Sequence, residues 1–521
     1  MNVITTVRLS LAAAFGAAIL AAHAPVHAKG ALDKALIEDI DSVFNDARLD
    51  VKAPGLIYSI IVDGKVAHTK SIGVRETETD SAIKKDTVFR IASMTKLMTA
   101  LLILDLHDQG KLSLDRPAET YVPELKFLKY PTSDSRRVTT RDMLNHTAGF
   151  IWDDPWADRQ MARTNEEFNA FLQRAEPFSH APGSTYEYSN LGYAILGRII
   201  ENVSGQSFTE RLQTRIFAPL GMKNSGLEVA DIADEKRAYG YNWINNTFTD
   251  EPILASGSFD PIGGVWTTAD DYAKFVTWVL SAWPARDDAD NGPIPRRVVR
   301  SVTDGSYILD PGRRPGLQST DDCVMSSGYG MGLHISRHCK AGAVLRHGGG
   351  FPGFGSYVIM LPERGVGVFA FANRTYAQMY VPVWDTIAKL VEAGVGEELG
   401  ILPPDPRLLS AYEGIGKAYG AARITGGGVQ FSDNFFLDRS EERWNTQLPA
   451  IRETVGDCNV SEPIKHDGRL SGSFTWNCEK GRVAGYMTLS PVNPNLIQML
   501  RLRPIMRNSS GRDMTVDFNW H

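Results

Sequence analysis

The chain has 521 residues, which is more than one ordinary hydrophobic core serves, so two or three domains are expected. Hydrophobic residues make up 43% and charged residues 22%, the proportions of a soluble globular protein. The net charge of −6 argues against nucleic acid or an anionic membrane surface as a partner.

The first residues have the layout of a secretory signal peptide. Arg8 precedes an apolar run from Leu9 to Ala22, and small residues follow as far as Ala28, after which we expect cleavage. A transmembrane anchor is the alternative, but the run is shorter than the roughly 18 apolar residues that a span requires. The layout predicts a periplasmic or secreted protein without a membrane span once the signal is removed.

Export changes the interpretation of the four cysteines. They form two pairs that are close in sequence, Cys323 with Cys339 and Cys458 with Cys478. Two disulfides are the natural interpretation in an oxidising compartment, although four cysteines allow three pairings. Four free buried thiols are the alternative. A zinc site is disfavoured because the chain has no Cys-x-x-Cys.

The predicted elements put strands at both ends of a helical region. A helix is expected over 31–44, and residues 56–76 read as a hairpin around Asp63-Gly64. A mostly helical stretch follows to about residue 283, then a β-rich block over 329–372 and a helix over 381–392. We expect one antiparallel sheet that is built from both ends and covered by helices.

A proline-rich joint over 401–407 marks the predicted domain boundary. Beyond it, two helix-like segments precede strand-like runs over 472–478, 482–489 and 496–502. This order predicts a small α+β domain with an antiparallel meander, in which a Cys458–Cys478 bond would tie the helical half to the sheet. We expect this domain to pack on the first one or to shape the entrance of its cleft.

A Ser-x-x-Lys motif stands at the start of a leucine-rich helix. Ser93 and Lys96 are three residues apart and therefore share a helix face, where a lysine of lowered pKa can take the proton of the serine. The motif alone is weak, because 81–84 also matches it in a polar stretch that we interpret as a solvated loop. Ser93 is also compatible with a simple N-cap role.

Two further motifs accompany it. Tyr188-Ser189-Asn190 precedes a helix predicted over 190–205 and offers a phenol and an amide, with helix capping as the alternative role. His347 is followed by three glycines, which let a substrate approach the backbone closely. The Gly-x-Ser-x-Gly motif of an α/β-hydrolase does not occur in the sequence.

In the order SMTK, YSN and HGG, these motifs resemble the serine-reactive family of penicillin-binding proteins, class C β-lactamases, D-aminopeptidases and related esterases. Supporting stretches, such as VTTRDMLNHTAGF and GGVWTTADDYAKF, are similar to the family too, and the resemblance spans roughly residues 35–395. It implies a β-lactamase/transpeptidase-like α/β (α+β) fold, with an antiparallel sheet beside a helical subdomain. The predicted domains are therefore 1–28 (signal peptide), 29–400 (catalytic) and 401–521 (α+β accessory).

The resemblance also assigns roles to individual residues. It implies that Ser93 is the acylated nucleophile, that Lys96 and Tyr188 share the role of general base, and that Asn190 positions the substrate. No metal or cofactor is required by this chemistry.

The third motif is expected to contact the substrate through His347, Gly349 and Gly350, with the backbone N–H groups of Ser93 and Gly350 as the oxyanion hole. Here the chain departs from the β-lactamases of the family, which usually carry Lys-Thr-Gly to hold the carboxylate of the antibiotic. A histidine is mostly neutral at pH 7 and glycine offers no hydroxyl, so strong carboxylate recognition is not expected. The triplet resembles the D-aminopeptidase and esterase branches instead.

The sequence therefore predicts an exported serine hydrolase that cleaves an ester or amide through an acyl-enzyme. The resemblance implies a small-molecule or short-peptide substrate, such as a D-amino-acid amide, a D-amino-acid peptide or a small ester. The alternative is a penicillin-binding sensor or β-lactamase-like protein with slow deacylation, in which acylated Ser93 persists.

Overall fold

The computed structural model describes residues 32–154, 156–305, 307–309, 325–396, 402–507 and 513–515. The predicted signal peptide and Cys323 lie outside these ranges. Within them, no helix is both long enough and apolar enough to cross a bilayer.

The helices of the described residues lie largely where the sequence predicts them. They are α1 Lys34–Asp50, α2 Thr95–Asp108, α3 Thr140–Leu144, α4 Asn165–Leu172, α5 Asn190–Ser204, α6 Phe208–Leu212, α7 Ala218–Leu220, α8 Asp260–Gly263, α9 Ala269–Leu280, α10 Arg296–Arg300, α11 Tyr380–Glu392, α12 Pro406–Gly420, α13 Asp433–Asp438 and α14 Glu441–Val455. The strands are β1 Gly55–Val62, β2 Lys65–Glu76, β3 Ser81–Ala82, β4 Phe89–Arg90, β5 Tyr241–Ile244, β6 Thr247–Asp250, β7 Trp266–Thr267, β8 Tyr307–Leu309, β9 Met325–Tyr329, β10 His334–His338, β11 Gly342–Phe351, β12 Phe354–Leu361, β13 Val366–Ala372, β14 Gln430–Phe431, β15 Lys465–His466, β16 Ser471–Asn477, β17 Gly481–Leu489, β18 Leu496–Arg507 and β19 Asp513–Thr515.

The main sheet is antiparallel and is built from both ends of the region, as predicted. Within the described ranges its order is β3-β2-β1-β13-β12-β11-β10-β9-β8. The N-terminal hairpin joins the later strands through β1 and β13, where Leu56 lies opposite Ala372. Strands β1, β12 and β13 are buried on both faces, which explains their nearly continuous apolar sequences.

Each face of the main sheet has its own hydrophobic core. Side chains alternate across a strand, so Ile57 and Ile61 of β1 face a core that contains α2, α5 and α9, whereas Leu56, Tyr58 and Ile60 face a core with α1 and α11. The sheet is thus the middle layer between two helical layers, and the larger helical layer contains the Ser-x-x-Lys motif.

Helix α2 is buried on every side from Thr95 to Leu106. Near its C-terminal end, the buried carboxylate of Asp105 pairs with Arg211 at 2.6 Å and Arg215 at 2.8 Å. A buried carboxylate needs such partners, because removing it from water is costly. These contacts hold α2 against the segment that begins with α6, and so fix the helix that follows Ser93.

The C-terminal residues form a separate sheet with its own core. Its order is β14-β18-β17-β16-β15, with β19 beside β18, and α12, α13 and α14 contribute to the core. Along β16, buried Phe474 and Trp476 alternate with exposed residues, as in a sheet covered on one face. The predicted antiparallel meander is confirmed, and a short parallel strand, β14, adds to it. The bond between Cys458 and Cys478 is present as predicted.

Candidate active site

Ser93 lies in a short 3-10 turn, Ala92–Met94, that leads directly into α2. The preceding residue, Ala92, has a φ of 50°, a left-handed conformation that residues with side chains rarely adopt. Strained residues of this kind concentrate at functional sites, where the surrounding packing holds them in place. The turn leaves Ser93 partly exposed, while the helix that follows is buried.

Lys96 lies one helical turn beyond Ser93, and its side chain is fully buried. Its Nζ donates to Ser93 Oγ at 3.0 Å, to Asn190 Oδ1 at 2.6 Å and to the Ile262 carbonyl at 2.8 Å. Three acceptors match the three hydrogens of an ammonium group, so the geometry holds Nζ in one position beside the serine hydroxyl.

Burial lowers the pKa of Lys96 to about 8, because the ammonium ion has lost its hydration. The negative charges of Asp154, Asp158 and Asp153 oppose this effect and keep the pKa from falling further. With this pKa, roughly a tenth of the molecules carry a neutral lysine at pH 7, and that form can accept a proton.

Tyr188 lines the same cleft as Ser93, and the serine hydroxyl acts on the pKa of its phenol. The Nζ of Lys96 lies 5.1 Å from the centre of the Tyr188 ring. Burial, and next the charge of Asp154, raise the pKa of Tyr188 well above its usual value. The phenol therefore keeps its proton at neutral pH.

Asn190 begins α5, and a carboxylate from a neighbouring loop sets its position. Asp153 accepts hydrogen bonds from the backbone N–H of Asn190 at 2.7 Å and from the Ser189 hydroxyl at 3.3 Å. Asp153 thus caps the helix, whereas the side chain of Ser189 makes no capping bond. With its backbone held in this way, Asn190 accepts from Lys96 and donates to Asp154 through its amide.

Strand β11 carries His347 and the three glycines beside the Ser93 turn. A Cβ atom at Gly349 would lie closer than 3.0 Å to Ser356 Oγ and to the Ile91 carbonyl, so only glycine permits this approach. Strand β10 pairs with β11 only as far as Arg346. Within the described residues, the glycine stretch therefore has no partner strand on that edge.

His347 is held by two hydrogen bonds. Its Nδ1 lies 2.6 Å from the Gly348 carbonyl and must donate to it, so Nε2 accepts from the Tyr329 hydroxyl at 3.0 Å. Burial, and next the charge of Lys96, lower the pKa of His347 to about 3. This histidine therefore carries no charge at neutral pH.

A cleft of about 740 Å³ brings these groups together. Four of the predicted site residues line it, namely Ser93, Tyr188, His347 and Gly350. The other three are buried behind its walls: Lys96, Asn190 and Gly349. The second Ser-x-x-Lys copy lies elsewhere, with Ser81 in β3.

Sequence reasoning missed three residues of the site. His146 is buried 4.3 Å from the Tyr188 ring, and burial lowers its pKa well below the usual value. His146 lies in the stretch VTTRDMLNHTAGF, whose similarity to the family could have identified it. Asp154 and Arg346 line the cleft as well, and no motif pointed to either.

Solved structures and curated proteins include relatives of this chain. The octameric penicillin-binding protein homologue from Pyrococcus abyssi is similar in fold, with a TM-score of 0.57 and 23% identity, over 92% of this chain and 95% of that chain. Protein flp of Staphylococcus aureus (strain MW2) is 26% identical over 357 residues, which are 68% of this chain. The chain spans 65% of the length of that relative.

A second curated relative is D-alanyl-D-alanine-carboxypeptidase/endopeptidase AmpH of Escherichia coli (strain K12). It is 28% identical over 357 residues, which are 66% of this chain and 86% of that protein. The sequence profile of the Beta-lactamase family matches residues 38–392, and this range holds the three motifs. Because the match covers more than half of the chain, this protein belongs to the Beta-lactamase family.

Proposed function

We propose that the protein is a serine hydrolase that cleaves an ester or amide through an acyl-enzyme on Ser93. The observation that carries this proposal is the buried Lys96, whose Nζ lies 3.0 Å from Ser93 Oγ and whose pKa is lowered to about 8. A neutral amine at hydrogen-bond distance from a hydroxyl is what converts serine into a nucleophile.

In the acylation step, Lys96 takes the hydroxyl proton while Ser93 Oγ forms a bond to the substrate carbonyl carbon. The N–H groups of Ser93 and Gly350 hold the developing oxyanion, a contribution worth about 10²–10³ in rate for each donor. The bond to the leaving group then breaks, and the leaving group receives the proton from Lys96 through Tyr188. Because the phenol keeps its proton, Tyr188 acts as a relay and Lys96 as the base, a more specific division than the shared role implied by resemblance.

The second step releases the acyl group. Water attacks the ester on Ser93, its proton passes to the Lys96–Tyr188 pair, and Ser93 Oγ regains a proton. Asn190 holds Lys96 through Oδ1 during both steps. The substrate class that we propose is a D-amino-acid peptide or amide, or a small ester, supported by similarity to the AmpH carboxypeptidase/endopeptidase.

The test is mass spectrometry of the protein with a p-nitrophenyl acyl ester and with D-alanine p-nitroanilide, while product release is followed by absorbance. Ser93→Ala is the active-site variant, and Ser81→Ala, in the second Ser-x-x-Lys copy, is the matched control. We expect an acyl adduct on Ser93 and turnover that Ser93→Ala abolishes and Ser81→Ala preserves. An adduct that persists without turnover would replace the hydrolase by a penicillin-binding sensor, and Ser93-independent turnover would refute the mechanism.

We also propose that the mature protein is exported, since the leader layout and the Cys458–Cys478 bond both agree with an oxidising compartment. Expression of the full chain followed by cell fractionation and N-terminal sequencing tests this. The expected mature protein begins at Lys29 outside the cytoplasm, and an intact leader on cytoplasmic protein would contradict export.

A further inference from the structure

Arg346 is a buried cation that lines the candidate catalytic cleft, and no carboxylate among the described residues pairs with it. It is 3% exposed, and Nη1 donates a hydrogen bond to the Tyr357 hydroxyl at 3.3 Å. Within the part of the chain that the structure describes, Nε and Nη2 have no hydrogen-bond partner. Buried charged groups are normally paired, because an unpaired one loses its hydration without compensation. The geometry therefore leaves two guanidinium donors for a group that the described residues do not supply.

The position of Arg346 on β11 explains how it shares a cleft with Ser93. Side chains alternate along the strand, so Arg346 lies on the face that also carries Tyr357, opposite to the face of His347. Residues of both faces line the cleft, among them His347, Gly348 and Tyr357. A Cβ atom at Gly348 would come within 3.1 Å of the Tyr357 ring, so glycine leaves space between them.

The cleft carries charges of both signs. Among the described residues that line it, Arg346 carries the positive charge and Asp154 the negative charge. Asp154 accepts a hydrogen bond from Asn190, whereas Arg346 precedes the glycine stretch of β11. His347, the residue that replaces the lysine of the Lys-Thr-Gly pattern, is neutral and bonded to Tyr329. The cationic group of this cleft is therefore one residue before the position of that lysine, and it lies on the other face of the strand.

We propose that Arg346 binds the free carboxylate of the residue released from a peptide substrate. A guanidinium with Nε and Nη2 available presents two parallel N–H donors, the arrangement that a carboxylate accepts in bidentate form. The bound carboxylate supplies the missing counter-ion, and its peptide reaches Ser93 across the glycine stretch. This inference rests on the proposed function and differs from the expectation, drawn from the His-Gly-Gly triplet alone, of no strong carboxylate recognition.

The test compares two substrates in the same protein: an N-acetylated peptide ending in D-alanyl-D-alanine, and the same peptide with a C-terminal carboxamide. Release of D-alanine or D-alaninamide is measured by chromatography and mass spectrometry. We expect kcat/KM to favour the carboxylate peptide by about 10- to 100-fold, the range for a charge-assisted hydrogen-bonded pair. Arg346→Met should abolish the preference, and Arg346→Lys should keep part of it.

The matched control is Arg337→Met, which removes an exposed arginine of β10 that pairs with Glu363. A preference measured within one protein is insensitive to a loss of folded material, so a purely structural role of Arg346 would lower both rates equally and overturn the proposal. Equal rates in the unmodified protein would overturn it as well.

Failure of the proposed function has a different signature, because neither peptide nor ester would then be cleaved in a Ser93-dependent way. In that case, calorimetric binding of both peptides to Ser93→Ala tests whether Arg346 binds the carboxylate. Tighter binding of the carboxylate form that disappears in the Ser93→Ala, Arg346→Met double variant supports Arg346 as the carboxylate site. Equal binding of the two peptides refutes it.

Discussion

The pH dependence of ester hydrolysis tests the role of Lys96 most directly. If the neutral amine takes the Ser93 proton, kcat/KM follows the fraction of neutral lysine. With the pKa lowered to about 8, kcat/KM is half its plateau near pH 8, about a tenth at pH 7 and about a hundredth at pH 6. The direction is fixed by the cause: burial disfavours the ammonium form, so activity is lost as the pH falls through this value and does not return on further acidification.

The assay is initial-rate hydrolysis of a p-nitrophenyl ester from pH 6 to pH 10, corrected for spontaneous hydrolysis at each pH. Lys96→Arg keeps a positive charge that is not lost in this range, so we expect a loss of about 10²–10⁴ in rate. Lys84→Met, in the second Ser-x-x-Lys copy, should leave the profile unchanged. A flat profile between pH 6 and pH 9, or an active Lys96→Arg protein, would refute the assignment of the base.

Three further outcomes are expected. Asp154→Asn removes a charge that raises the pKa of the lysine, so the acid limb of the same profile should move to lower pH; an unmoved limb would show that this carboxylate does not act on the base. Gly349→Ala should lower the free energy of unfolding by about 1–3 kcal/mol in thermal unfolding and reduce turnover. The matched control is Gly226→Ala, because a Cβ atom at Gly226 meets nothing within 4 Å. Equal effects of the two substitutions would argue against the close approach of β11 and the Ser93 turn. The double variant Cys458→Ser, Cys478→Ser removes a bond between residues that are 20 positions apart, so we expect the C-terminal sheet to lose about 3 kcal/mol of stability in urea unfolding. Ester hydrolysis should persist, because the catalytic region and the C-terminal sheet have separate cores. A parallel loss of activity would contradict their independence.

Much of this architecture follows from local sequence signals. Turn and cap residues, which act over a few positions, predict three of its features. These are the hairpin around Asp63-Gly64, the helix that ends before Gly205 and the proline-rich start of the C-terminal helices. The three motifs in their fixed order are specific to the family, whereas Ser-x-x-Lys alone is not. These signals are readable because each depends on neighbours in the chain.

The sequence by itself determined that a serine and a lysine share one helix face, that a tyrosine and an asparagine precede another helix, and that glycines follow a histidine. Only the tertiary structure decided what these groups do to one another. Burial of Lys96 lowers its pKa, burial of Tyr188 raises its pKa, and Asp153 rather than Ser189 caps α5. No motif pointed to Arg346, because whether a buried charge has a counter-ion depends on packing between distant segments, and the described residues supply none. Charge states inside a protein depend on desolvation and on partners brought together by the fold, and neither can be read from residue order alone.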